Sequence, residues 1–547
     1  MANKRGPTSL AHKLLRAFLQ QSSTSTGSIS KTNTNAQYYS INSKLQNLPP
    51  ISQSQKTMVV DVEGWLLKSP SAFPYFMVVA LEAGGGGGLL RGLLLLLLYP
   101  FIYLLGNEMG IRIMVMVTFC GLRKESVARV GRAILPKHLL EDVGLQGFDM
   151  LKRENSNGHG HGRVVCVSSM PRVMVEAFLR EYLELEYVLG TELEEFMGFY
   201  TGFMHGERER CKVLELKEAF KDGAVGFSSS SFARSQLPFS YCKELLLVEK
   251  EEKRRWKALP RERYPKPLIF HDGRLAFKPT PLNTLTMFLW LPFGFILALV
   301  RLTISLSLPY KLSTPVLAMT NMKWRLLVHT TGNGSGENPS NVGEDNRSKT
   351  NHQRGQLFIC NHRTLIDPIY ISVAINRPVQ AVCYSLSRVS EILSPISTIR
   401  LTRNREEDAM IMKKLLDRGE SVVVCPEGTT CREPYLLRFS PLFTELSDEV
   451  VPVAVNVKTS MFYATTAGGW KCFDSLYYLM NPSMCYEVQF LDKINTSDVR
   501  SRKYSSTDMA NRVQREIGKA LGFQCTMLTR KDKYMMLAEN DGIVGRS

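Results

Sequence analysis

Apolar residues along this chain fall into two kinds of run. Short stretches such as "TMVVD", "RVVCVSS", "QLFIC", "TIRL", "SVVVC" and "EVVPVAVNV" end abruptly in polar or turn-forming residues. Two longer segments are rich in leucine and phenylalanine. Unbroken apolarity over a few residues predicts strands buried on both faces. After "QLFIC", the stretch "DPIYISVAI" predicts a helix, with Asp367 near its N-terminus and Pro368 in a first turn that tolerates a missing N–H. Strands alternating with loops and helices predict an α/β architecture with its active residues at the carboxyl ends of strands. Pro452 is expected to interrupt the last strand.

The longer runs are "GLLLLLLYPFIYLLG" (Gly92 to Gly106) and "LTMFLWLPFGFILALV" (Leu285 to Val300). Each falls short of the roughly 20 residues that cross a bilayer core. Extending the second through "RLTISLSLPY" gives the length but brings in Arg301, and Pro100 and Pro292 are expected to kink the helices. Hexaleucine beside aromatic residues is unusual in a soluble core, so these segments predict membrane contact, entering the bilayer or crossing it with distortion.

Polar stretches divide the rest. The charged, proline-ending run from Leu247 to Pro267 predicts a linker, and the low-complexity stretch from His329 to Gly355 predicts an unstructured loop. No acidic residue precedes Asp61. Leu10, Leu14 and Phe18 share a helical face near Lys13 and Arg16, followed by a Ser/Thr-rich stretch. This beginning resembles a mitochondrial transit peptide, and equally a basic helix lying on a membrane or a solvated tail. The expected organisation is therefore 1–56 as a basic segment, 57–246 as one domain containing apolar segment 92–106, and 247–280 as linker. Residues 281–312 follow as a membrane segment and 313–547 as a second domain.

At 547 residues and 44% hydrophobic content, the chain can bury two or more cores. Its formal charge of +17 suits a phosphate-rich partner. No zinc-finger spacing, aromatic RNA-binding signature or long basic block is present, so nucleic acid is excluded and membrane lipid or a small anionic ligand remains. Eleven cysteines without a CxxC pair predict thiols in a reducing compartment and no metal site.

Candidate chemistry concentrates after residue 355. "CNHRTLIDP" sets His362 five positions before Asp367; "TIRLTRNREED" carries Arg400 and Arg403; "VCPEGTTC" carries Glu427, Gly428 and Thr429; a Val-Pro strand follows. A neutral imidazole oriented by a carboxylate is a suitable base for an attacking hydroxyl, and no covalent intermediate is needed when the substrate supplies the nucleophile. Arginines suit a phosphate on that substrate. The ordered set resembles the four blocks of the glycerolipid acyltransferases. With "FHDGRLAFKPTPLNTL", "YSLSRVSEILSPI" and "LGFQCTMLTRKDKYM", nearly everything after residue 56 resembles the plant membrane-bound glycerol-3-phosphate acyltransferases.

That resemblance implies a C-terminal glycerolipid-acyltransferase α/β domain. It also implies acyl-CoA as co-substrate with no further cofactor, glycerol 3-phosphate as acceptor, and acylation at its sn-2 hydroxyl. Arg403, with Arg400 as the weaker candidate, would bind phosphate, and Glu427, Gly428 and Thr429 would bind the acceptor and shape the turn. Acylation of a lysophospholipid, or a silent lipid-binding scaffold, are the alternatives. The product would enter glycerolipid or cutin- and suberin-type polymers, in the endoplasmic reticulum or the mitochondrion.

The N-terminal half resembles the haloacid-dehalogenase-like phosphatases. Asp61 stands at the first motif's nucleophile, but the second carboxylate is Glu63, one methylene too long; Ser168 matches the second motif. Where the last motif needs carboxylates for magnesium, "GAVGFSSSSFARSQLPFSYCK" has none. The expectation is a retained scaffold without phosphatase activity, so that the product keeps its phosphate as lysophosphatidic acid.

Overall fold

The computed structural model describes residues 37–40, 57–157, 163–205, 224–229, 239, 241–327, 355–384, 391, 394–468 and 473–540. Apart from residues 37–40, the basic N-terminal segment lies outside the described residues, as does nearly all of the polar insertion.

Two sheets organise the described chain. The first contains β1 (Gln37–Ser40), β2 (Thr57–Asp61), β3 (Arg163–Pro171), β4 (Tyr187–Phe196), β5 (Phe199–His205), β6 (Ala224–Ser229) and β7 (Glu244–Val248). Their spatial order is β1-β7-β6-β2-β3-β4-β5, parallel except at the β4–β5 hairpin. The second contains β8 (Met322–Leu327), β9 (Leu357–Cys360), β10 (Gln380–Cys383), β11 (Ser397–Arg400), β12 (Val422–Val424), β14 (Glu449–Thr459) and β15 (Met484–Phe490). Here the order is β11-β10-β12-β9-β14-β15-β8, and only β14–β15 is antiparallel. The short β16 (Ile494–Asn495) pairs antiparallel with the start of β14, while β13 (Tyr435–Leu436) pairs with β17 (Gln524–Cys525).

Strand β9 shows why its sequence is apolar without alternation. Leu357 and Ile359 join one core with Met412, Val513 and Ile517; Phe358 and Cys360 join the other with Ile371, Val455 and Tyr486. Both faces are covered, so both sets must be apolar. Pro452, contrary to the sequence expectation, does not interrupt β14. It is buried opposite Ile359, and its carbonyl accepts from Leu491 N at 3.0 Å, so the ladder continues past the missing donor.

The first apolar run lies in a helix that starts earlier and ends at Leu104, Gly85–Leu104 with 20 residues, and the second in a helix that passes it at both ends, Pro281–Ser307 with 27. Pro100 and Pro292 lie within them. Leu90 is 74% exposed and Leu289 64%, so these helices turn apolar faces outward. Both are long and apolar enough to cross a bilayer. Arg301 is no obstacle, because its buried guanidinium donates to the carbonyls of Leu479 (2.6 Å), Asn481 (2.7 Å) and Thr320.

Residues 247–280, expected as a linker, are packed. Trp256 sits edge-on to Trp65 with ring centroids 5.6 Å apart, and Leu259, Leu268 and Phe270 are buried. The following polar residues reach both halves. Asp272 accepts from Arg129 (3.3 Å), Ala467 N (2.8 Å) and Gly468 N (2.9 Å). His271 Nε2 lies 2.8 Å from Glu433 Oε1, and Arg274 pairs with Asp474 at 2.6 Å. The heavy charge between Lys250 and Lys266 masked these apolar anchors in the sequence.

Candidate active site

Strands β9, β11 and β12 run parallel, so the residues that follow them emerge at one edge of the second sheet. His362, Arg400, Arg403, Glu427, Gly428 and Thr429 all line one cavity of about 1210 Å³ there. Asp367 lies beneath His362, fully buried, with Oδ2 at 2.9 Å from His362 Nδ1.

Asp367 is not the cap of its helix. It is the first residue of Asp367–Ile375, and the preceding loop folds around its carboxylate. Arg363 N (2.7 Å), Thr364 N (3.0 Å), Thr364 Oγ1 (2.9 Å) and the Tyr486 hydroxyl all donate to it. This shell fixes the carboxylate, which in turn fixes the imidazole. Burial opposes charging of His362, yet its contacts with Cys425 and Asp367 outweigh burial and hold its pKa well above the ordinary value. The side chain keeps 17% exposure toward the cavity, so the ring can take a proton from a bound hydroxyl.

Glu427 faces the main chain. Its Oε1 accepts from His362 N (2.7 Å) and its Oε2 from Leu437 N (2.8 Å). Burial pushes its pKa up to about 7 against those two donors. Gly428 turns the chain with φ +66°, a left-handed conformation that a Cβ would strain. The turn is closed by Gly428 N on Cys425 O (3.1 Å) and by Cys431 N on His362 O (2.9 Å).

The two arginines differ. Arg400 is held by Glu391 at 2.5 and 2.8 Å. Arg403 adopts φ +69° in a loop wrapped around Asp408, which accepts from Thr402 N (2.7 Å) and Arg403 N (3.1 Å). A left-handed arginine at a cavity wall is a backbone cost consistent with a site that needs its side chain there.

Among the described residues, the potential metal donors His362, Asp367 and Cys425 come within 4.8 Å of one another; His362 Nδ1 is already bonded to Asp367, and we assign no ion. Cys425 Sγ faces Cys360 Sγ at 3.3 Å, and the described cysteines are free thiols.

The first sheet brings Asp61, Glu63 and Ser168 together as well. Asp61 accepts from Gly64 N and Ser228 Oγ, each at 2.6 Å. The added methylene of Glu63 carries its carboxylate onto Ser168 Oγ (2.6 Å), Met170 N (3.2 Å) and Ser169 N (3.3 Å). That donor cradle, at the end of β3, is suited to an oxyanion and is filled by the chain's own carboxylate. Burial, then the charge of Glu63, pushes Asp61 up to about 8, so at neutral pH it is mostly protonated and a poor nucleophile.

The family model described as "Glycerol-3-phosphate acyltransferase RAM2-like, HAD-like domain" matches residues 57–248, and that described as "Acyltransferase" matches residues 341–456. Over 501 residues the chain is 48% identical to probable glycerol-3-phosphate acyltransferase 3 of Arabidopsis thaliana, covering 90% of this chain and 92% of that protein. The chain belongs to the plant glycerol-3-phosphate acyltransferases. Another member, glycerol-3-phosphate acyltransferase RAM2 of Petunia hybrida, is 42% identical over 491 residues, covering 88% of this chain and 97% of that protein. Among solved structures, the 1-acyl-sn-glycerophosphate acyltransferase PlsC of Thermotoga maritima matches with a TM-score of 0.27 at 13% identity, covering 44% of this chain and 96% of that one.

In this acyltransferase several supporting residues escaped sequence reasoning. Arg363 donates to the carbonyls of Cys431 (2.7 Å), Arg432 (2.6 Å) and Glu433 (2.8 Å), so the residue after the histidine pins the segment after the Glu-Gly turn. Asn361 bridges β9 to β14 through Val455 N (2.7 Å) and Val455 O (2.9 Å). Tyr486 comes from a strand 119 residues beyond Asp367. The local "CNHRT" run hinted at the first two; only the fold reveals Tyr486.

Proposed function

We propose that this acyltransferase moves an acyl group from coenzyme A thioester to glycerol 3-phosphate, with His362 as general base oriented by Asp367. The observation that carries the reading is the buried Asp367 carboxylate, organised by its loop and bonded to His362 Nδ1 at 2.9 Å. With Nδ1 engaged, the other ring nitrogen takes the hydroxyl proton as oxygen attacks the thioester carbonyl. The C–S bond then breaks, and the imidazolium returns its proton to the departing thiolate.

A second cavity of about 450 Å³ shares Leu365, Pro368, Ala381 and Thr398 with the first and extends to Ala298 and Leu302 of the helix Pro281–Ser307. This apolar space, reaching a bilayer-length helix, suits the acyl chain. Arg403 is the proposed phosphate ligand among the motif residues. Glu427 and Gly428 act by shaping the turn, since both Glu427 oxygens are taken by amides.

The product on this reading is lysophosphatidic acid, supported by the raised pKa of Asp61 and by the Glu63 carboxylate that occupies the neighbouring donor cradle. Acylation at sn-2, and a destination in glycerolipid or in cutin- or suberin-type polymers, are carried by the family resemblance. The membrane is that of the endoplasmic reticulum or mitochondrion. The test is to supply purified protein with labelled acyl-CoA and, separately, glycerol 3-phosphate or a lysophospholipid, with positional analysis of the product. A phosphorylated 2-monoacyl product is expected; preferential lysophospholipid acylation, or monoacylglycerol release, would overturn the reading.

A further inference from the structure

Lys533 lies on the helix Arg530–Ala538, outside the four motif blocks that led to the site. It is 9% exposed and lines the same cavity as His362 and Arg403. Its amino group donates to Thr430 O (2.5 Å), Thr430 Oγ1 (3.2 Å) and Thr429 Oγ1 (3.2 Å). None of these partners is a carboxylate. Asp532, the adjacent acid, is engaged with Thr529 N and Oγ1 at 2.7 Å in the helix cap. Glu427, on the same turn as the two threonines, faces amides. Burial, with the nearby Arg432 adding to it, depresses the Lys533 pKa. A buried cation surrounded by neutral oxygens is costly unless an anion completes its shell.

We propose that Lys533, with the hydroxyl of Thr429, forms an oxyanion subsite that receives a substrate phosphate group. The phosphate belongs either to the acceptor or to coenzyme A. The inference rests on the acyl-transfer reading of the cavity. Thr429 Oγ1 accepts from Lys533 and keeps its own proton, whereas the Thr430 hydroxyl donates to Thr465 Oγ1 (3.3 Å), so a phosphate would be met by the Thr429 hydroxyl and by the ammonium in exchange for one of its 3.2 Å contacts. The helix bearing Lys533 is held from the N-terminal domain, where Arg132 Nε donates to Met536 O at 3.2 Å.

The test compares full-length wild type, Lys533→Met and Lys533→Arg, varying glycerol 3-phosphate and acyl-CoA in turn. Lys533→Met is expected to raise one KM by about tenfold or more, from loss of a charge-assisted hydrogen bond, with a smaller change in kcat; Lys533→Arg restores most of it. A rise confined to glycerol 3-phosphate assigns the acceptor phosphate, and one confined to acyl-CoA assigns the donor. A fall in kcat with both KM values unchanged, or arginine no better than methionine, would overturn the proposal. In parallel, an amine-modifying reagent is applied to wild type with and without inorganic phosphate, and Lys533 labelling is read by mass spectrometry. Phosphate is expected to protect Lys533; unchanged labelling would contradict the subsite even if Lys533→Met failed to fold. Protection in a protein inactive toward glycerol 3-phosphate would sink the acceptor assignment while leaving the subsite standing.

Discussion

His362 owes its setting to Asp367, which lies behind the cavity wall, and to Cys425 and Glu427, which line it. As the proposed base it would act only when neutral, so acyl transfer should fall as pH drops through its raised pKa. Asp367→Asn removes a carboxylate that raises that pKa. The acid limb of the pH–rate profile should therefore move to lower pH while kcat falls by about 10²–10⁴-fold; an unmoved limb would show that another group titrates. Glu427→Gln leaves one of two buried amides facing an NH₂ group. Chemical denaturation should show a loss of about 1–3 kcal/mol, together with reduced activity. The histidine, aspartate and glutamate were legible because their chemistry is tied to short spacings. Lys533 and Tyr486 were not, because separations of 104 residues from Thr429 and 119 from Asp367 close only in the fold.

Elements were legible where both faces are buried, as in β9 and β12, whose apolar runs admit no amphipathic reading. They were less so where tertiary contacts override local preference. Arg301 stays within an apolar helix because backbone carbonyls meet it, and Pro452 stays within β14 because its carbonyl remains bonded. The carboxyl end of β2 supports a stability prediction. Asp61 titrates near 8 in the fold against an ordinary 3.8. Between those values the native state holds a proton the unfolded chain has lost, so its contribution to stability falls as pH rises across that window. Asp61→Asn can keep both hydrogen bonds without ionising. Its Tm should exceed wild type by a few degrees at pH 8 and differ less at pH 5; a lower Tm at pH 8 would contradict this. Asp61→Asn should also leave the phosphate content of the product unchanged.

For the whole molecule, a domain whose Asp61 is held protonated and whose donor cradle is filled by Glu63 remains joined to the acyltransferase half. Asp272 ties Arg129 to the amides of Ala467 and Gly468, and Arg132 holds the helix that carries Lys533. Asp272→Ala should lower both Tm and acyl transfer although its carboxylate lies outside the cavity lining; intact activity with lowered Tm would confine the joint to stability. The two bilayer-length helices predict retention in membranes through an alkaline carbonate wash and release by detergent. Domain order was legible from motif order, whereas the packing between domains was not, because buried ion pairs such as Arg274–Asp474 are indistinguishable in sequence from solvated charges.

The most direct measurement is single-turnover acyl transfer to glycerol 3-phosphate by wild type and His362→Ala across pH, with the product's phosphate analysed. A phosphorylated monoacyl product formed by wild type, with the rate lost in the variant at every pH, is the predicted result. A variant that retains the wild-type rate would show that His362 is not the base.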